Sequence, residues 1–392
     1  MKITIPLSGR IDTASASQAE QIIAQHLHEQ DAQTLDKIVI DCTDLQYISS
    51  TGLRIFLKYK KQYPDFEVIN VSNEVYNVFD MTGFSRIMTV KKALRKVSIA
   101  GCKEIGRGGV GVIYRYDDDT IIKVFSPECT IDIPERERLM AREAFILGMP
   151  TAIPFDIVWV TDTQSYGMMT ELLDCKTLGA MVNEDRDNYR YYAQLFGKML
   201  RNMHQTNVES NTTLPRPADV YEANINRIAH HFLPEQIELI KYLVSKIPEG
   251  HSLLHCDCHP KNIMVLGQRG QEELLMIDMG EVSAGHPLFE LLNVCSTFHA
   301  ESFEALVGFP VELSKPFWQE TLKAYFDTAD EALIGQYDEI ISAASIVRAT
   351  TWIALGNFPQ PVIDSVRRLA DQQLWKNREY YIEMAEKFKE IN

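Results

Sequence analysis

HSLLHCDCHPKNIMVLGQRGQEELLMIDMGEV, residues 251–282, is the stretch that decides the fold. It contains H-x-D-x-H-P-x-N, with Asp257 and Asn262 five residues apart, and then the apolar strand ELLMI running into Asp278. Phosphoryl transfer requires two metal-binding groups that face the phosphates and a carboxylate near the attacking hydroxyl. A D-x-x-x-x-N loop, a short hairpin and a further aspartate in I-D-x-G supply all three. HCDCH also offers zinc-type ligands, but alternate side chains of an extended loop point apart, so four of them would not easily meet at one tetrahedral ion.

Upstream lies EIGRGGVGVIYRYDDDTIIKVF, residues 104–125. Gly106, Gly108 and Gly111 form G-x-G-x-x-G, with Gly109 as an extra glycine. A loop lying over phosphates needs residues without Cβ, so that backbone N–H groups can approach the oxygens. Turns between strands use the same glycines, so the flanks decide. A dinucleotide turn runs strand, glycines, helix. Here the glycines run into VIYRY, an acidic turn at Asp117–Asp119 and TIIKVF, which predicts a hairpin. Lys123 lies in its second strand. A buried lysine is costly unless its charge is matched, and RERLMAREAFILGM offers the acids Glu143 and, as a competitor, Glu137.

Five elements in this order resemble the aminoglycoside phosphotransferase and choline kinase group within the wider protein-kinase-like fold, over residues 100 to 390. The motifs are HCDCHPKN and IDMGEV, backed by GRGGVG and IIKVF. The resemblance implies Asp257 as catalytic base, Asn262 and Asp278 as magnesium ligands, Lys123 holding the ATP phosphates and Glu143 orienting Lys123. It implies a nucleotide cradle of Gly106, Gly108, Gly109 and Gly111. The backbone of the strand and hinge Met168–Leu173, which includes Glu171, would face adenine. Met279 departs from the pattern, standing where the fold usually has an aromatic residue. Only GEVSAG separates Met279 from the helix expected at HPLFELLNV. A protein kinase has a long peptide-docking segment there, so a small-molecule acceptor is favoured. Helices after residue 290 would build its pocket, with Glu290, Glu301 and Glu304 as weak candidates beside the alternative of a solvated helix face.

The first 97 residues read differently. KITIPL, KIVIDC and FEVINV read as strands, alternating with helical patterns at 13–30, 53–62 and 73–84. That alternation implies a sheet with helices packed on it. KKALRKV, residues 91–97, is expected to be a terminal helix running into a linker. GRIDTASA, YISSTGLRIFL and the stretch Asn73–Phe84 resemble the STAS fold of anti-sigma factor antagonists and sulfate transporter tails. In antagonists the loop serine before the helix is phosphorylated by a partner kinase, and that position maps onto Ser50. The usual acid ahead of it is Ser49 here, and the alternative is that Ser49 to Thr51 only cap the helix.

Composition narrows the class. The 392 residues are 45% hydrophobic and 24% charged, an ordinary globular balance. Seven scattered cysteines without a C-x-x-C pair, and no signal peptide, point to the reduced cytoplasm. A net charge of −15 disfavours nucleic acid, which needs clustered Lys and Arg. No run of about 18 apolar residues suggests a membrane span.

The expectation is an α+β multidomain chain. A STAS-like α/β domain spans 1–97. A bilobal kinase-like domain spans 98–392, with its N-lobe at about 98–173 and a large helical C-lobe at about 174–392. Expected partners are ATP, Mg2+, an unidentified small-molecule acceptor and a regulatory protein at the STAS-like domain. The alternatives are a signalling kinase acting on a serine such as Ser50, or a non-catalytic nucleotide sensor.

Overall fold

The computed structural model describes residues 2–28, 37–109, 111–209, 212–300 and 302–391. Two compact units emerge: Met1–Ser98 with Val158–Thr161, and Ile99–Ile157 with Asp162–Asn392.

In the first unit β1 (Lys2–Ile11), α1 (Ala16–His28), β2 (Lys37–Ile48), α2 (Ser50–Gln62), β3 (Phe66–Val71), α3 (Asn73–Met81) and β4 (Thr89–Lys92) alternate. The strands form a parallel sheet in the order β1-β2-β3-β4. Pro6 cannot donate to a ladder, and it sits in the edge strand β1, beside a register shift. Ile5, Ile38, Ile40 and Val68 from the strands meet Ile23, Phe56 and Phe79 from the helices in one core. Each such side chain contributes roughly 1.5–3 kcal/mol by leaving water. Serines start two of the helices: Ser49 Oγ accepts from the Gly52 amide and Ser72 Oγ from the Val75 amide. The expected helix at 91–97 is not formed. Lys91 and Lys92 end β4, and β5 (Arg95–Val97) pairs in parallel with Val158–Val160. A short, lightly apolar segment has too little helix stability of its own to resist free ladder partners.

The second unit opens with β6 (Lys103–Arg107), β7 (Gly111–Arg115), β8 (Thr120–Phe125), α4 (Asp132–Ile146), β9 (Pro154–Val160, whose last three residues belong to the first unit) and β10 (Ser165–Glu171). β6, β7 and β8 form consecutive antiparallel pairs, and β8 also pairs with β10. Then come β11 (Lys176–Thr177), α5 (Leu178–Glu184), α6 (Tyr189–His204), α7 (Pro217–Ile228) and α8 (Pro234–Lys246). The decisive stretch follows as β12 (Ser252–Leu254), β13 (Ile263–Leu266), β14 (Glu273–Met276) and β15 (Ser283–Gly285). The remainder is α9 (Leu288–Phe298), α10 (Phe303–Val307), α11 (Ser314–Phe326), α12 (Glu331–Thr351), α13 (Gln360–Leu369) and α14 (Arg378–Ala385). α6 and α11 pack closely because Gly197 has no side chain; a Cβ there would come within 2.3 Å of the Thr321 carbonyl oxygen. Among the described residues no helix is long and apolar enough to cross a membrane. This is the mixed architecture expected, a sheet-and-helix STAS-like unit before a kinase-like fold rich in helices.

Candidate active site

β8 alternates buried and partly buried residues, and Lys123 sits opposite Ile113 of β7 and Met168 of β10. Its ammonium is largely buried and meets two carboxylates. Nζ lies 2.7 Å from Glu137 Oε1 and 3.0 Å from Asp278 Oδ1. Burial alone would lower the lysine pKa, but Asp278 and Glu137 outweigh it and hold the charge. The lysine thus ties α4 to Asp278, two residues past the end of β14.

Its partner on α4 is Glu137, not Glu143. Pro134, Glu137, Met140, Ala141 and Ala144 form the buried stripe of this helix. Glu143 comes six residues after Glu137, about 120° around the helix from it at 100° per residue. It therefore misses the face that meets β8. Glu137→Ala is expected to lower kcat/KM of the reaction at this site about tenfold or more, because one member of a buried charge pair is lost. Glu143→Ala should stay within about twofold. Equal effects of the two in steady-state kinetics would contradict the pairing.

The glycine turn is open. Gly106 lies in β6 and Gly111 begins β7, and the Gly108 amide donates to the Gly111 carbonyl across the turn. A Cβ at Gly111 would lie 2.4 Å from the Val124 carbonyl oxygen, whereas Gly108 and Gly109 have nothing within 4 Å of that position. Gly111 is thus required by the hairpin, and the two turn glycines leave free space above the backbone. Glu171 closes β10. Its carboxylate accepts from the Ile153 amide at 2.8 Å, while the Leu172 amide donates to Asp119.

The loop from His255 to Asn262 is held from below. His255 is fully buried, accepts the Asp257 amide at Nδ1 (3.2 Å), and its Nε2–H donates to the Ile277 carbonyl (2.9 Å). Glu290 of α9, also fully buried, accepts the His255 and Cys256 amides at 2.6 and 2.8 Å. Glu290 is therefore neither on a solvated face nor a pocket residue; it braces the loop, because two backbone donors turned inward at the helix need an acceptor. Glu304 accepts the Val311 amide, and Glu301 lies outside the described residues. Burial pushes the His259 ring down to about 4, so it is neutral. Cys256 and Asp278 both adopt left-handed backbone, with φ of 62° and 65°. Such residues persist only where their surroundings over-determine them, and they concentrate at functional sites.

Asn262 spends its amide nitrogen on Asp257, 2.9 Å from the carbonyl and 3.3 Å from Oδ2. Its side-chain Oδ1 is left for another partner, while its backbone carbonyl accepts the Ile277 amide. Two residues that sequence reasoning missed complete the site. Arg348, from the last turns of α12, lies 4.0 Å from Asp257 Oδ1 and 3.5 Å from Glu281 Oε2. Burial raises the pKa of both carboxyls, and Arg348 opposes the rise at each. Glu281 could have been noticed as a second acid in IDMGEV. Arg348 stands far along the chain with no motif around it.

In the first unit Ser50 is exposed as the first residue of α2, and the cap is its neighbour Ser49.

Residues 2–97 match the STAS domain model, and residues 137–324 match the model of the phosphotransferase enzyme family. Among solved structures the chain is similar to an ethanolamine kinase of Plasmodium vivax, at 14% identity over 92% of this chain and 95% of that one, with a TM-score of 0.50. It is also similar to an ADP-bound aminoglycoside phosphotransferase, at 15% identity over 69% of this chain and 92% of the other, with a TM-score of 0.45. An amicoumacin kinase in complex with AMP-PNP and Ca2+ shares 14% identity over 75% of this chain and 93% of its own, with a TM-score of 0.48. A search of curated proteins finds no match.

Proposed function

We propose that this chain, a STAS domain followed by a domain of the phosphotransferase enzyme family, transfers the γ-phosphoryl group of ATP to a hydroxyl of a small molecule. The observation that carries the reading is the convergence of Lys123, Glu137 and Asp278 on one side and Asp257 with Asn262 on the other. Lys123 holds phosphate oxygens, oriented by Glu137. Asp257 accepts the proton of the attacking hydroxyl, its Oδ2 fixed by the Asn262 amide. The turn amides around Gly108 and Gly109 lie over the phosphates, and the backbone near Glu171 faces adenine. The domains divide at residues 97 and 98, with the two lobes of the kinase-like domain meeting near residue 173.

A divalent cation fits the donors present. Asp278 uses Oδ1 on Lys123 and keeps its other oxygen, and the Asn262 side-chain Oδ1 is likewise uncommitted among the described residues. These are hard oxygen ligands of the type magnesium takes, with phosphates and water completing its shell. Bound there, magnesium would neutralise charge developing on the phosphates. Among the described residues no group of three or more His, Cys, Asp and Glu is arranged to hold a metal, so the phosphates themselves would supply part of the site.

Only Met279 to Pro287 separate Asp278 from α9, and β15 within that span pairs with β12. This leaves no extended segment for docking a peptide, which favours a small acceptor. Seven free cysteines suit a reducing cytoplasm. The STAS domain would bind a regulatory protein, with Ser50 as its switch. A phosphate there would meet the free amides that open α2. Incubation of the full chain with magnesium-ATP and a panel of hydroxyl compounds, with products and protein both weighed by mass spectrometry, tests the reading. A phosphorylated small molecule and an unmodified protein are expected. Phosphate on Ser50 that disappears in both Ser50→Ala and Asp257→Asn would instead identify a protein-serine kinase.

A further inference from the structure

Arg348 presents a charge without hydrogen bonds. Its side chain is only 17% exposed, yet among the described residues it makes just the two loose ion pairs at 3.5 and 4.0 Å, to Glu281 and Asp257. A guanidinium carries five N–H donors. None of its nitrogens is both buried and unpartnered, so these donors keep access to solvent and are open to a ligand. The two carboxylates it approaches belong to the catalytic loop and to the turn after Asp278, so its donors look onto the side of Asp257 opposite Asn262. Asn262 takes Oδ2; the oxygen nearest Arg348 is Oδ1.

We propose that Arg348 and Glu281 form an acceptor subsite for a neutral vicinal diol; this rests on the phosphotransferase reading above. One hydroxyl of the acceptor gives its proton to Asp257 and its oxygen forms the bond to the γ-phosphorus, as the bond from that phosphorus to the β–γ bridging oxygen breaks and ADP leaves. The neighbouring hydroxyl is a donor and an acceptor at once. It gives its hydrogen to the Glu281 carboxylate and takes one from Arg348. An ammonium at that position could donate to Glu281 but has no lone pair to take a hydrogen from Arg348. A carboxylate could accept from Arg348 but has no hydrogen to give Glu281. A hydroxyl does both.

The test uses the full chain with magnesium-ATP and three probes of one size: propane-1,2-diol, propan-2-ol and 1-aminopropan-2-ol. The diol is expected to exceed the mono-alcohol in kcat/KM by about ten- to a hundredfold, the usual worth of a hydrogen bond to a charged group. The amino alcohol should fall short of the diol. Arg348→Gln and Glu281→Gln should each erase most of the diol advantage, mainly through KM, and Arg348→Lys should restore only part of it because its point charge lacks the fork. Calorimetric magnesium-ATP affinity, followed in every variant, shows that each is folded. A parent enzyme that binds magnesium-ATP but gives the diol no advantage overturns the proposal, as does retention of the advantage in both glutamine variants. Loss of magnesium-ATP binding in the parent itself would be a failure of the phosphotransferase reading instead.

Discussion

Asp257→Asn is expected to bind magnesium-ATP nearly as the parent does and to turn over roughly 10²–10⁴-fold more slowly, the range over which a positioned general base contributes. That loss corresponds to about 3–5 kcal/mol of barrier. The substitution keeps the shape of the side chain, so the Asn262 amide can still bond an oxygen at this place, and the His255 and Glu290 braces do not touch the altered atoms. What disappears is the anionic oxygen that takes the proton. Burial raises the Asp257 pKa and Arg348 opposes that rise, and in the variant Arg348 keeps its ion pair with Glu281. Pre-steady-state kinetics with a phosphorylatable diol separates the chemical step from binding. An unchanged kcat would remove Asp257 from the role of base.

Asp278→Ala is expected to abolish the magnesium dependence of nucleotide binding, raising the dissociation constant of magnesium-ATP by roughly 100-fold or more, because a carboxylate that would hold the metal is gone. Lys123 keeps Glu137 as a partner, so the N-terminal hairpin should stay in place. The backbone at 278 is left-handed, a conformation that alanine tolerates poorly and asparagine readily. Asp278→Asn is therefore the control that preserves the turn and removes only the charge. Calorimetry with and without magnesium reads both variants. Equal magnesium-ATP affinity in Asp278→Asn and the parent would show that the metal is held elsewhere.

Much of the fold was legible because local signals agreed with tertiary demands. The glycine hairpin, the strand carrying Lys123, the D-x-x-x-x-N loop, the hairpin after it and the helix at HPLFELLNV are all written in short-range patterns, and each forms. The misreadings share one cause, which is that burial and strand pairing are tertiary properties. Glu137 and Glu143 are indistinguishable as helix acids until the stripe of α4 that meets β8 is known. Glu290 looks like a surface acid in an apolar helix, yet two inward-facing amides of the loop from His255 draw it into full burial. Residues 91–97 lose their helical reading to strand pairing with partners as distant as Val158. Arg348 reaches Asp257 only because α12 packs against α9, behind the loop. No spacing along the chain encodes that approach.

The central claim is that the γ-phosphate of ATP goes to a soluble hydroxyl compound. The most direct measurement follows label from γ-³²P-ATP after incubation with the full chain, magnesium and a diol, separating phosphate ester, inorganic phosphate and protein. Expected is label in a low-mass ester, absent with Asp257→Asn or without divalent metal, and an unlabelled protein. Label found only as inorganic phosphate or only on the protein would contradict the claim.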